Sequence, residues 1–150
     1  MNSRKLGNTG LLSSEASLGT AEIGIDYGFK GSSNYSRPTV QNSIRLIQSS
    51  INQGVNWLDT ARAYGNSEEI IGQYLNEHID KTWFIITKVS GAKDKIYDQL
   101  YQSIDKLGIN TASNNVTFEV HPIENLVNYH FKYSCIPSVK CENASILKTS

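Results

Sequence analysis

Residues 55–72, VNWLDTARAYGNSEEIIG, decide the fold of this chain. An apolar β-type run ends on Asp59, and Tyr64 follows five residues later. Asn66 with Glu69 three positions on has the pattern of a capping box, which predicts that a helix begins here. The stretch therefore predicts a buried strand, a short loop and a helix, with a carboxylate and a phenol just past the strand.

Upstream of this stretch, the sequence predicts a hairpin, a strand and a helix. The turn signal GNTG lies within residues 4–23 and predicts a hairpin leading into a first strand near Glu15–Gly19. Residues 24–37 are rich in Gly, Ser, Asn and Tyr and indicate a loop. Pro38 suits the opening turn of a helix, which Gly54 ends. The apolar stripe of this helix consists of Val40, Ile44, Ile47 and Ile51.

Downstream, two more buried strands are predicted, TWFIITK at 82–88 and NVTFEVH at 115–121. The helix between them is closed by Gly108 and carries apolar residues at helical spacing, namely Ile96, Leu100, Ile104 and Leu107. Trp57 and Trp83 are predicted to lie in the core. Strands thus alternate with helices through short connections, which predicts a parallel sheet with helices packed over it.

Three predicted strands end in a reactive side chain, Asp59, Lys88 or His121. The carboxyl ends of parallel strands lie along one rim, so we expect these groups to meet there with Tyr64. A phenol donates a proton poorly at neutral pH until its anion is stabilised, and an ammonium about 4 Å away would do this. Singly, such residues are more often caps, loop anchors or solvated groups. Their joint placement predicts carbonyl reduction, with Tyr64 as the general acid and a nicotinamide cofactor as the hydride source.

Each partner has an expected role at this rim. Asp59 would hold Lys88 charged and in place, and His121 would orient the substrate carbonyl by a hydrogen bond. Tyr27 and Tyr35 lie in the loop after the first strand and could touch the substrate. Arg62 and Glu68 flank the motif and are predicted to be solvent-exposed or capping residues.

GVNWLDTARAYGNSEEIIG followed by FIITKVS resembles the aldo-keto reductases, and RKLGNTGLLSSEASLGTA looks like the beginning of the same family. The resemblance is specific over residues 4–91. It implies an α/β fold, an incomplete (β/α)8 TIM barrel with about the first four βα units preceded by an N-terminal β-hairpin. It implies NADP as cofactor, with NAD as the alternative, and a small carbonyl or sugar substrate. The implied catalytic residues are Asp59, Tyr64, Lys88 and His121, and the implied cofactor-binding residues are Gly19, Thr20, Ala21 and Asp59.

The resemblance weakens after Gly108, where INTASNN makes the connection longer than in the family and the family's aspartate is absent from the next strand. We predict a partial barrel over residues 1–123 and a divergent tail over 124–150, with a short helix through Val127 and Phe131 and then irregular chain. A full barrel needs about 250 residues, and this chain has 150. The tail, a second copy of the chain or a second-half fragment would then have to cover the sheet edges. A truncated, inactive reductase or an interaction module is the alternative function.

Composition narrows the classes of partner and location. The chain has 14 Lys plus Arg and 14 Asp plus Glu, so no net field attracts nucleic acid or an anionic membrane. No signal peptide is recognisable, and no stretch approaches the roughly 20 apolar residues of a membrane span, so we expect a cytoplasmic protein. Cys135, Cys141 and His130 lack the spacing of a metal site, and we expect no metal.

Overall fold

The computed structural model describes residues 1–5, 12–27, 36–78, 84–91, 93–109, 115–122, 129–134 and 146–148. In chain order the elements are β1 Ser3–Lys5, β2 Leu12–Ser14, β3 Leu18–Gly19, α1 Ala21–Gly24, α2 Val40–Asn52, β4 Trp57–Asp59, α3 Ser67–Glu77, β5 Phe84–Gly91, α4 Lys93–Lys106, β6 Asn115–Pro122, β7 Tyr129–Ser134 and β8 Ile146–Lys148. Strands β1 and β2 pair antiparallel as the predicted hairpin, and the other six strands form one sheet in the order β3-β4-β5-β6-β7-β8.

The strands from β3 to β6 are parallel, each beside the next in the chain. Helices α2, α3 and α4 connect them, which confirms the predicted alternation of strands and helices. In the described part of the chain, apolar residues from the helices and from one face of the sheet form one core. Full burial of each large apolar side chain stabilises the fold by roughly 1.5–3 kcal/mol. Core members include Ile23, Ile47, Leu58, Ile71, Ile85 and Leu107.

Strand β5 has two chemically different faces. Ile85 and Val89 belong to the helix-side core, and Thr87 between them is also buried. Because successive side chains of a strand point to opposite faces, Ile86 and Lys88 lie on the other side of the sheet. Asp59 is the register partner of Ile86 and shares that side. The sheet therefore separates the core from the face that carries the predicted catalytic groups.

The helix ends differ from the predictions in two places. Thr39 caps α2 by accepting a hydrogen bond from the backbone N–H of Asn42, so Pro38 precedes the cap instead of lying in the first turn. The predicted capping box of α3 is wrong, because the N-cap Asn66 makes no side-chain capping bond. The side chain of Asn66 accepts a bond from Arg37, and Glu69 instead binds Lys106.

The tail also differs from the predicted helix and irregular chain. Phe131 lies in strand β7, which pairs antiparallel with β6, and β8 pairs antiparallel with β7. A strand therefore covers one edge of the parallel part, although Val127 itself lies outside the described residues. The division at residues 123 and 124 stays a prediction. Trp57 is buried as predicted and stacks on Phe84, while Trp83 and Tyr35 lie outside the described residues.

None of the helices in the described part of the chain has both the length and the apolar character that a bilayer crossing needs.

Candidate active site

An ion pair joins the ends of β4 and β5. Lys88 Nζ donates a hydrogen bond to Asp59 Oδ1 at 2.6 Å. Their side chains are 20% and 37% exposed, so the pair is partly screened from water yet open on one side. A charge-assisted bond of this kind is roughly twice as strong as a neutral one. The aspartate therefore fixes where the ammonium lies.

Tyr64 lies beside this ion pair, with the centroid of its ring 5.4 Å from Lys88 Nζ. That separation is within the range of a cation–π contact. The loop before Tyr64 continues to follow β5, because the N–H of Thr60 bonds Ile86 O at 2.8 Å and the N–H of Arg62 bonds Lys88 O at 2.9 Å. The loop backbone thus places the phenol next to the lysine.

Two glycines let the Tyr64 loop approach α1. Gly65 has φ of 57°, in the left-handed region that side chains disfavour. A Cβ on Gly65 would clash with the carbonyl oxygen of Gly24, and a Cβ on Gly24 would clash with the carbonyl oxygen of Tyr64. The glycine after Tyr64 therefore serves backbone packing.

Three buried hydroxyls hold the strand ends to the start of α3. Thr20 Oγ1 donates to the carbonyl oxygen of Asp59 at 2.8 Å, and Ser67 Oγ donates to Thr20 Oγ1 at 2.8 Å. Thr60 Oγ1 lies 3.0 Å from Ser67 Oγ. Because Ser67 already uses its one proton, Thr60 must be the donor in that contact. The chain of donors runs from β4 to α3 and back to β3.

An open cleft of about 240 Å³ adjoins these groups. At Gly19 an added Cβ would meet nothing within 4 Å, so the cleft reaches the backbone there. The sequence interpretation named all but one of its lining residues. The lining consists of Gly19, Thr20, Ala21, Glu22, Tyr27, Asp59 and Tyr64. The predicted cofactor-binding residues thus lie together with two predicted catalytic residues, and Glu22 is the residue that sequence reasoning missed.

His121 lies farther along the sheet than the other predicted catalytic residues. The register partner of Lys88 on β6 is Glu119, whereas His121 is the partner of Ser90. Two residues of parallel strand correspond to roughly 7 Å. The structure therefore brings Asp59, Tyr64 and Lys88 together, and it places His121 on the neighbouring strand at a level beyond Lys88.

A second ion pair was not predicted. Glu68 is only 1% exposed, and its carboxylate accepts bonds from Arg62 Nη1 at 3.0 Å and from Thr87 Oγ1 at 2.7 Å. The prediction that Glu68 is a solvent-exposed or capping residue is therefore wrong. A sequence signal existed, because Glu68 precedes Ile71 by three residues and Leu75 by seven, which places it on the apolar stripe of α3.

Among the residues that the structure describes, no three His, Cys, Asp or Glu side chains come together as a metal ion would require. Cys135 and Cys141 lie outside those residues, so their predicted lack of a metal stays a prediction.

Comparison with known proteins gives one consistent family. The profile described as Aldo/keto reductase family matches residues 17–126. A Pseudomonas aeruginosa protein described as an aldo-keto reductase has a similar structure, with a TM-score of 0.65 and 29% sequence identity. The match covers 82% of this chain and 48% of that one. A search of the curated proteins gave no match.

Two further solved structures agree with this result. A second structure of an aldo-keto reductase from P. aeruginosa gives a TM-score of 0.61 at 28% identity, covering 82% of this chain and 47% of that one. A Bombyx mori aldo-keto reductase in complex with NADP gives a TM-score of 0.53 at 25% identity, covering 69% of this chain and 34% of that one. The chain thus spans about half the length of the P. aeruginosa proteins and about a third of the length of the B. mori protein.

Proposed function

Because the chain belongs to the aldo/keto reductase family, we propose that it carries the reacting end of an NAD(P)H-dependent reductase site. The reaction is reduction of an aldehyde or ketone, or oxidation of a sugar or alcohol in the reverse direction. One observation carries the proposal: Lys88 Nζ lies 2.6 Å from Asp59 Oδ1 and 5.4 Å from the centroid of the Tyr64 ring. In the proposal, this ammonium is the positive charge that faces the negative charge on the phenol oxygen after proton transfer.

Each residue has one role in this proposal. Tyr64 donates the proton from its phenol oxygen to the carbonyl oxygen of the substrate, as a general acid. Lys88 stabilises the resulting phenolate, and Asp59 keeps the ammonium in position. His121, which is the register partner of Ser90 on the neighbouring strand β6, orients the carbonyl by hydrogen bonding.

We assign NADP as the cofactor, with NAD as the alternative. The fit rests on the cleft beside Tyr64, which reaches the backbone at Gly19 and is bordered by Thr20 and Ala21. These residues would lie against the nicotinamide end of the cofactor. Asp59 lines the same cleft. When bound, the cofactor supplies the hydride to the carbonyl carbon. Tyr27 lines the same cleft, and the proposal has it contact the small carbonyl or sugar substrate.

The proposal includes an incomplete (β/α)8 barrel in which β3 to β6 are the first four strands. The P. aeruginosa protein is matched over 48% of its length, which is consistent with half of such a barrel. Strand β3 is at the end of the strand order and pairs only with β4 in the described sheet. Its free edge would accept further strands from a second copy of the chain or from a second-half fragment. In this proposal, residues 1–123 are the partial barrel and residues 124–150 are the tail. The proposed location of the protein is the cytoplasm.

An inactive reductase relative or an interaction module on the same scaffold is the second candidate. Strand β7 pairs antiparallel with β6, at the edge where a barrel would add another parallel strand. A sheet closed off in this way would block completion of the barrel. Calorimetric titration of the chain with NADPH separates the two candidates, since micromolar binding would contradict the hypothesis of an inactive reductase relative.

Replacement of Tyr64 by Phe tests the proton donor. We expect a loss of about 10²- to 10⁴-fold in the rate of NADPH oxidation with small aldehydes, because the general acid is removed while the ring remains. The measurement is made on the chain alone and mixed with a second-half fragment of a relative. Tyr101→Phe, on the exposed face of α4, is the matched control and should leave the rate unchanged. Full activity in Tyr64→Phe would exclude the proposed role.

A further inference from the structure

The buried ion pair lies on the opposite side of β5 from Lys88. Both carboxylate oxygens of Glu68 are used, one by Arg62 Nη1 at 3.0 Å and the other by Thr87 Oγ1 at 2.7 Å. A carboxylate that is 1% exposed is costly unless it is paired and hydrogen-bonded. Loss of either partner would leave a buried carboxylate oxygen without a hydrogen bond, which is costly.

Local structure explains why a carboxylate is tolerated here. Glu68 is in the first turn of α3, where the positive end of the helix dipole favours negative charge. Thr87 points to the helix side because it alternates with Lys88 along β5. The side chain of Arg62 is 21% exposed, and its Nη2 also donates a hydrogen bond to Gln102 Oε1 at 3.4 Å.

These contacts hold both ends of the loop that carries Tyr64. Arg62 precedes Tyr64, and its backbone N–H bonds the carbonyl oxygen of Lys88 at 2.9 Å. Glu68 follows Tyr64 and bonds Thr87, the covalent neighbour of Lys88. The loop is thus tied to β5 before and after the phenol, at residues 87 and 88. Movement of the loop relative to Lys88 requires breaking at least one of these bonds.

We propose that Glu68 is a positioning residue that sets the separation between the Tyr64 phenol and the Lys88 ammonium, by joining Arg62 to Thr87 on the helix side of β5. It touches neither substrate nor cofactor. The inference deepens the proposed function, on which its kinetic consequence rests. Its geometric consequence is independent of turnover, because it concerns only the environment of Tyr64.

The test uses the full chain labelled with 3-fluorotyrosine and fluorine NMR. The chain has eight tyrosines, and the Tyr64 resonance is the one that disappears in Tyr64→Phe. We expect Glu68→Gln to shift and broaden this resonance. The amide has no charge to pair with Arg62 and has one acceptor oxygen, whereas the carboxylate has two, one for Arg62 and one for Thr87. Resonances of Tyr97 and Tyr101, exposed on α4, should not change.

Glu69→Gln is the matched control, because it removes the same charge from the adjacent residue of the same helix. Glu69 is paired with Lys106 on the exposed side and should leave the Tyr64 resonance unchanged. If Glu68→Gln does not fold by circular dichroism, Thr87→Val and Thr87→Ser decide. Valine keeps the shape and loses the hydroxyl, so it should shift the resonance, whereas serine keeps the hydroxyl and should restore the wild-type position.

Kinetics add a second measure. Glu68→Gln should lower kcat about 10- to 100-fold with little change in KM, since misplacement of a reacting group by about 1 Å has that effect. An unchanged Tyr64 resonance in Glu68→Gln, or an equal shift in Glu69→Gln, overturns the positioning role. If only the positioning role fails, the wild type is active and Tyr64→Phe still loses that activity. If the proposed function fails, the wild type has no activity or Tyr64→Phe keeps it, so the two failures are distinguishable.

Discussion

Two ion pairs lie on opposite sides of β5, one residue apart along the strand. On the cleft side, Lys88 binds Asp59, and these side chains are 20% and 37% exposed. On the helix side, Thr87 contacts Glu68, which is 1% exposed and paired with Arg62. Water reaches the first pair, so in the proposed function its interactions can change when a substrate binds. In the second pair the carboxylate itself is buried, so in our proposal it supports the first pair without taking part in the chemistry.

Replacement of Lys88 by Met should separate the two sides most clearly. We expect a loss of about 10²- to 10⁴-fold in the rate of carbonyl reduction, because nothing then stabilises the phenolate of Tyr64. The free energy of unfolding should change by less than about 1 kcal/mol, since the Asp59 carboxylate that loses its partner is 37% exposed and stays hydrated. Urea unfolding and NADPH oxidation provide the two numbers. A large loss of stability with normal activity would reverse the assignment of the two faces.

Replacement of Glu68 by Ala should instead lower the free energy of unfolding more than Lys88→Met does. Removal of one partner from a buried pair leaves the other charge and the Thr87 hydroxyl uncompensated, which costs about 3–5 kcal/mol for full burial. Because Arg62 is 21% exposed on its side chain, we expect a smaller loss of about 2–3 kcal/mol in the free energy of unfolding. Urea unfolding measures it, and a value below that of Lys88→Met would show that burial does not decide the difference.

The cleft side was predictable from the sequence, and the helix side was not. Asp59 and Lys88 each end an apolar run, and parallel topology alone brings strand ends together. The burial of Glu68 depends on Thr87, which lies 19 residues away, and on a loop that returns Arg62 to the same place. Only its position on the apolar stripe of α3 pointed to burial.

Competing long-range contacts also explain the other failures of prediction. The capping box of α3 did not form because Arg37 binds Asn66 and Lys106 binds Glu69, and neither partner is close in sequence. In the tail, the spacing of Val127 and Phe131 suited a helix. The alternation of aromatic residues in YHFKYS at 129–134 is instead typical of a strand, and β6 supplies the edge on which that strand pairs.

A third ion pair, Glu69 with Lys106, tests how much burial adds to the contribution of an ion pair to stability. It joins α3 to α4 as Glu68 joins α3 to β5, but the Glu69 side chain is 53% exposed. We expect Glu69→Ala to lower the free energy of unfolding by about 0.2–1 kcal/mol, with less effect at high salt, because solvent already screens this pair. Urea unfolding at low and high ionic strength measures both quantities. Since Glu68 and Glu69 are adjacent and carry the same charge, a loss in Glu69→Ala as large as in Glu68→Ala would mean that helix-end charge, and not burial, stabilises this end of α3.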